Sequence, residues 1–213
     1  DLFFSRGQNW GFAPLNPDRM RADRYPYWRQ VLRHHMQFAT MLRIDHVMGL
    51  HRMFFVPDGM EPTEGVYVRF PTEELYAVLT LESQRARTVV VCEDLGTVPR
   101  HGGPMMRHRG LRQMYAAYFQ VDPDRDPPVE TPTRHMVAFV NTHDMATFGA
   151  YWSGKDTELR QRLGVVDAAQ ARAETREKRR LKRAISGYLR RKRVLDGGEE
   201  FFGVGVFRFG EDG

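Results

Sequence analysis

Three short apolar runs in this chain are each followed closely by a carboxylate. They are Met41-Leu42-Arg43-Ile44 before Asp45, Val89-Val90-Val91-Cys92 before Glu93, and His135 to Val140 followed by Asn141-Thr142-His143-Asp144. Continuous apolar runs of this length, with little polar alternation, fit strands covered on both faces, which is the habit of a parallel sheet flanked by helices. The segments between them supply the helices. Pro17 to Thr40 reads as one helix with a stripe of Tyr27, Trp28, Val31, Leu32 and Met36, and Pro71 to Arg87 reads as another. Pro57, Asp58, Gly59, Pro62 and Gly65 punctuate a long loop between them. Met114 to Phe119 suggests a further strand, although its alanines also permit helix, and Pro123 to Pro132 is a polar, proline-rich connection. Thr157 to Leu163 and Ala171 to Arg193 look helical, and Phe201 to Phe207 looks extended or irregular. The class predicted is α/β.

Composition removes several alternatives. With 213 residues, 41% of them hydrophobic, the chain is long enough to bury a sizeable core. No apolar run approaches the roughly 20 residues of a membrane-spanning helix. The single cysteine, Cys92, excludes an internal disulfide and a multi-cysteine metal site, so a reducing cytoplasm is the expected setting. It ends an apolar run and is expected to pack as a small apolar side chain. The opening residues, Asp1 to Arg6, resemble no signal peptide, and the chain is expected to begin inside something longer.

The net charge of +5 is concentrated in one place. Between Ala171 and Arg193 stand 11 basic residues against Glu174 and Glu177, which leaves the rest of the chain net acidic. Leu181, Ile185 and Leu189 recur at a spacing of four there, so the segment reads as an amphipathic helix with a solvated basic face, and no nucleic-acid partner is expected. His34, His35, His46 and His51 follow no His-Glu-x-x-His pattern, and Gly102-Gly103 is not a phosphate loop, so neither a metal nor a cofactor is expected.

Asp45, Glu93 and Asp144 are separated by 48 and 51 residues, which leaves room for crossovers. In parallel α/β folds the strand C-termini share one end, so the three acids would project into one cleft. Such a set suits retaining glycoside cleavage, in which a carboxylate nucleophile and a carboxylic acid stand about 5–5.5 Å apart. The competing reading is that acids after strands are solvated or cap the following helix.

The local strings carry more. Gly7-Gln8-Asn9-Trp10-Gly11, Arg43-Ile44-Asp45-His46-Val47-Met48-Gly49-Leu50, Glu93-Asp94-Leu95-Gly96-Thr97-Val98-Pro99 and Asn141-Thr142-His143-Asp144 resemble, in order and spacing, the 4-α-glucanotransferase or amylomaltase family. The resemblance implies a (β/α)8 barrel and a retaining double displacement on α-1,4-glucans. Asp45 would be the nucleophile, Glu93 the general acid and base, and Asp144 the transition-state stabiliser. Trp10, Arg43, His46 and His143 would bind substrate, with Arg43 also orienting the nucleophile. Partners would be maltooligosaccharides, with neither nucleic acid nor membrane. Tyr115 and Tyr118 are further aromatic candidates for sugar stacking.

The chain also departs from the family. A (β/α)8 barrel needs eight strands and typically about 250 residues, whereas this chain offers about four strong strands. The resemblance places residues 1–213 from just before the fourth barrel strand to beyond the seventh, as one partial catalytic domain with a basic helix near its end. Phe54-Phe55 stands where relatives often carry tryptophan, and His101 to Arg109 looks unlike the usual helix start. An amylase-like hydrolase, or an inactive barrel fragment that binds glucan or the missing segments, are the alternatives to a working transferase.

Overall fold

The computed structural model describes residues 11–95, 98–99 and 101–194. Trp10 and the extended segment expected at 201–207 lie outside these residues. The chain divides into two compact units, Asp1–Met114 with Arg134–Val137, and Tyr115–Thr133 with Ala138–Gly213.

The first unit opens with α1 (Pro17–Ala22) and α2 (Pro26–Met36) instead of one continuous helix. Pro26 disfavours helical backbone at the preceding residue and has no N–H to continue the ladder. Arg24 and Tyr25 accordingly turn to positive φ, 61° and 59°. The turn buries Tyr25, whose hydroxyl donates to Glu74 at 2.5 Å. Burial and that carboxylate push its pKa up to about 12.

Strand β1 (Met41–Ile44) follows, then a 3-10 turn at Val47–Leu50. β2 (Arg52–Phe55) and β3 (Val66–Arg69) form an antiparallel hairpin around the punctuated loop. After α3 (Thr72–Ala86) come β4 (Val89–Cys92), α4 (Gly102–His108), β5 (Arg112–Ala116) and β6 (Met136–Phe139). The main sheet runs in the order β1-β4-β5-β6, with β1 parallel to β4 and β4 parallel to β5.

Leu32, Met36, Val47, Met48, Tyr76, Leu79, Val90, Cys92, Met106 and Leu111 form one buried cluster, with Leu42 and Ile44 packed against it. One face of β1 is therefore covered. The other is not: Met41 and its register partner Val89 are 53% and 41% exposed, so β1 is half-covered, contrary to the expectation of burial on both faces. β1 is also an edge strand of the described sheet, paired on one side only by β4.

The second unit contains α5 (Phe148–Ser153), α6 (Lys155–Arg162) and α7 (Ala168–Arg191). Gly154 at φ 83° ends α5 and begins α6. Asp167 and Gln170 close a capping box at the start of α7, satisfying donors that the first helical turn leaves free. Three basic side chains of α7 pair with acids of the same unit. Lys178 reaches Asp156 at 2.5 Å, with both side chains mostly covered, and its ammonium also lies over the Tyr151 ring. Arg180 pairs with Asp124 and Arg191 with Asp126, so the helix holds the proline-rich connection.

Candidate active site at the ends of β1 and β4

Ile44 and Cys92 are register partners, so Asp45 and Glu93 each take the next position beyond one rung of the parallel ladder. Neighbouring strands lie about 4.8 Å apart, which sets the scale of the separation between the two backbones. The ladder continues past the strands: Glu93 N–H donates to the Ile44 carbonyl at 2.8 Å, and Val47 N–H donates to the Glu93 carbonyl at 3.0 Å. Glu93 thus clasps the two residues that leave β1.

Its side chain repeats the grip. One carboxylate oxygen accepts the His46 N–H at 2.9 Å and the other accepts the Leu95 N–H at 2.8 Å. His46 presents its N–H from a left-handed backbone, φ 42° and ψ 59°, a conformation uncommon for a residue with a side chain. Each carboxylate oxygen has a second lone pair, so these bonds leave Glu93 capacity to carry or exchange a proton.

Asp45 is held differently. Its Oδ1 lies 2.5 Å from Arg43 Nη2, and its side chain is 65% exposed. Arg43, two residues earlier in the strand, points its Nε toward Met114 Sδ at 3.4 Å. The pairing fixes the direction of the carboxylate at the end of β1, which suits a nucleophile.

Asp94 is a positioning residue that the sequence reasoning missed. Its carboxylate accepts Gln113 Nε2 at 2.7 Å and the Met114 N–H at 3.0 Å, tying the turn after β4 to β5. Its place beside Glu93 in the Glu-Asp-Leu string was the available signal. Cys92 is fully buried, and burial together with Asp94 pushes its thiol up to about 12, which removes it as a nucleophile. His51 is buried with its Nε2 3.1 Å from the Tyr76 hydroxyl, and burial lowers its pKa. Among the described residues no group of three or more histidine, cysteine or acidic side chains is placed to hold a metal ion.

Asp144 and His143 belong to the second unit. Asp144 is largely exposed, with His143 Nε2 3.4 Å from its Oδ1. The bend around it is fixed locally: Asn141 Nδ2 donates to the Ala146 carbonyl at 2.7 Å and Met145 N–H donates to the Thr142 carbonyl. Within the first unit the structure brings Arg43, Asp45, His46 and Glu93 together, and within the second His143 and Asp144 form an exposed pair. Tyr115 is buried and its hydroxyl donates to the Glu130 carbonyl, so it is a core residue. The Tyr118 ring lies against that of Tyr151, 4.1 Å between centroids.

An arginine-paired aspartate and a backbone-anchored glutamate at adjacent ends of a parallel sheet define a carboxylate-pair site of the α/β class. The family model described as 4-alpha-glucanotransferase matches residues 1–195, and the chain belongs to that family. The 4-alpha-glucanotransferase of Mycobacterium tuberculosis is 34% identical over 205 residues, covering 94% of this chain and 28% of the relative. That of Haemophilus influenzae is 32% identical over 189 residues, covering 89% of this chain and 27% of its own length. The amylomaltase of Corynebacterium glutamicum has a similar structure, with a TM-score of 0.81 at 31% identity, over 97% of this chain and 29% of that one. The chain thus spans little more than a quarter of the length of these relatives.

Proposed function

We propose that this chain carries the acid pair of a 4-α-glucanotransferase that moves α-1,4-glucan segments between maltooligosaccharides with retention of configuration. The observation that carries the reading is the β1–β4 register, which places Asp45 and Glu93 at adjacent strand ends in a chain of this family. In the first step Asp45 attacks the anomeric carbon, the glycosidic C–O bond breaks, and Glu93 gives its proton to the leaving oxygen. In the second, Glu93 takes the proton from the 4-hydroxyl of an incoming glucan, whose oxygen displaces Asp45. Arg43 keeps Asp45 oriented, Asp144 stabilises the positive charge on the sugar ring, and Trp10, His46 and His143 contact the glucan.

The fold component of the proposal is a (β/α)8 barrel, of which this chain supplies one portion. The edge position of β1 in the described sheet supports it, since further strands would continue the sheet from that edge. A cytoplasmic setting belongs to the same proposal and fits a buried free thiol at Cys92.

Incubation with maltotriose, with products resolved by chain length, tests the reading. Glucose plus a ladder of longer maltooligosaccharides is expected, and Asp45→Asn should lower turnover at least a thousandfold, on the order of 4 kcal/mol in the barrier. Shortening without elongation would make the chain a hydrolase. No turnover by the unsubstituted chain would confine the activity to the longer enzyme.

A further inference from the structure

Outside the acid pair, the hairpin of β2 and β3 carries an unusual surface. Its register pairs Arg52 with Arg69 and Phe54 with Tyr67, and the alternation of strands puts all four on one face. That face is open: Phe54 and Tyr67 are 42% and 55% exposed. The aromatic rings are nonetheless held in place. They meet edge to face with 5.0 Å between centroids, and the Arg52 guanidinium covers the Tyr67 ring at 4.4 Å.

Gly65 completes the arrangement. A Cβ there would stand 2.5 and 2.6 Å from the tip of the Phe54 ring and 2.9 Å from the Phe55 carbonyl oxygen, although φ at Gly65 is an ordinary −73°. The glycine is needed for space and not for conformation, because the Phe54 ring lies on its backbone. Two fixed, exposed rings flanked by two guanidinium groups match a pyranose chain, which offers apolar C–H faces for stacking and hydroxyls for N–H donors. Neither arginine has an ion-pair partner among the described residues, so their donors remain available.

We propose that this face of the hairpin is a second α-glucan contact surface, on which sugar rings stack against Phe54 and Tyr67 while Arg52 and Arg69 bond their hydroxyls. It rests on the glucan chemistry proposed above and extends it to a surface for longer chains. Titration of the 213-residue chain carrying Asp45→Asn, which blocks consumption of the probe, compares maltoheptaose with maltose by calorimetry. Maltoheptaose should bind more tightly, and adding Phe54→Ala with Tyr67→Ala should weaken it on the order of tenfold, the scale of lost ring contacts. Tyr67→Phe, which keeps the ring, should retain the affinity. Circular dichroism of each variant checks that the exposed substitutions leave the fold in place.

Equal maltoheptaose affinity with and without the two rings, or no binding by the parent, would overturn the proposal. Self-association of the chain that disappears in the double variant, with glucan affinity unchanged, would assign the face to a second copy instead. Failure of the transferase reading has a separate signature, the absence of a product ladder from maltotriose with the unsubstituted chain.

Discussion

The two units of this chain keep their shape by different means. In the first, Tyr76, Leu32, Leu79, Val47 and Met106 are essentially sealed from water, and Asp45 and Glu93 leave strands that pack on that cluster. In the second, the named contacts are chiefly ionic and aromatic: Lys178 with Asp156, Arg160 with Glu174, Arg180 with Asp124, and Lys178 and Lys182 over Tyr151 and Trp152. Apolar burial is not weakened by charge screening, whereas exposed charge pairs are screened over about 10 Å at 0.1 M salt. The difference teaches where the strand ends that carry the acid pair get their rigidity: from apolar packing and backbone bonds, with Arg43 directing the Asp45 side chain.

The largest expected effect lies in that cluster. Leu79→Ala should cost about 3–5 kcal/mol and Tyr76→Ala a similar amount, read as a drop in the denaturant midpoint and as loss of amide protection in β4. If exchange in β4 were unchanged, the apolar cluster would not be what holds the strand ends. Next comes the covered ion pair of the second unit. Asp156→Ala leaves the Lys178 ammonium without its carboxylate and should cost about 3 kcal/mol, with faster amide exchange in α6 and α7 and little change in β4. A uniform change across both units would erase the contrast.

A smaller effect separates the units by pH. His51 has its pKa lowered in the folded state, chiefly by burial and then by His101 and Arg52, against a weaker pull from Glu73. The unfolded chain therefore binds this proton more readily, so stability of the first unit should fall as pH drops below about 6.5 toward the folded-state value. His51→Gln should flatten that slope, measured as denaturant midpoints at pH 7 and pH 5. The smallest effect is ionic: 1 M sodium chloride should loosen the Arg180–Asp124 and Arg191–Asp126 ties, visible as faster exchange around Asp124 and Asp126, and leave β1 and β4 untouched.

The strands that deliver the acids were legible because unbroken apolar runs have few other uses. Asp45 and Glu93 immediately follow their strands, whereas Asp144 stands five residues beyond the end of β6. The break between α1 and α2 was obscured because the apolar stripe of Tyr27, Trp28, Val31 and Leu32 runs almost up to Pro26, whose stop signal is the weaker pattern. The β2–β3 hairpin was missed for a complementary reason. Its residues face solvent on at least one side, so Arg52 to Phe55 and Val66 to Arg69 show no simple core pattern, and the prolines and glycines between them read as loop. α4 forms despite Gly102, Gly103 and Pro104 because Met106 is buried in the core cluster, a tertiary gain that outweighs poor local propensity. The anchoring of Glu93 by the His46 N–H depends on a left-handed residue that bears a side chain, and no local composition announces that.

The clasp between the two strand ends has a consequence for tolerance to change in chain length. Because Glu93 is bonded through its own backbone to Ile44 on one side and Val47 on the other, the spacing of Asp45 and Glu93 is inherited from the register of two strands. The 38 residues of hairpin and helix between Leu50 and Val89 do not measure it out. Insertions at the hairpin tip near Asp58 and Gly59 are thus absorbed where they occur. A single-residue deletion inside Val89–Cys92 shifts every later side chain to the opposite face and removes the glutamate from its partner.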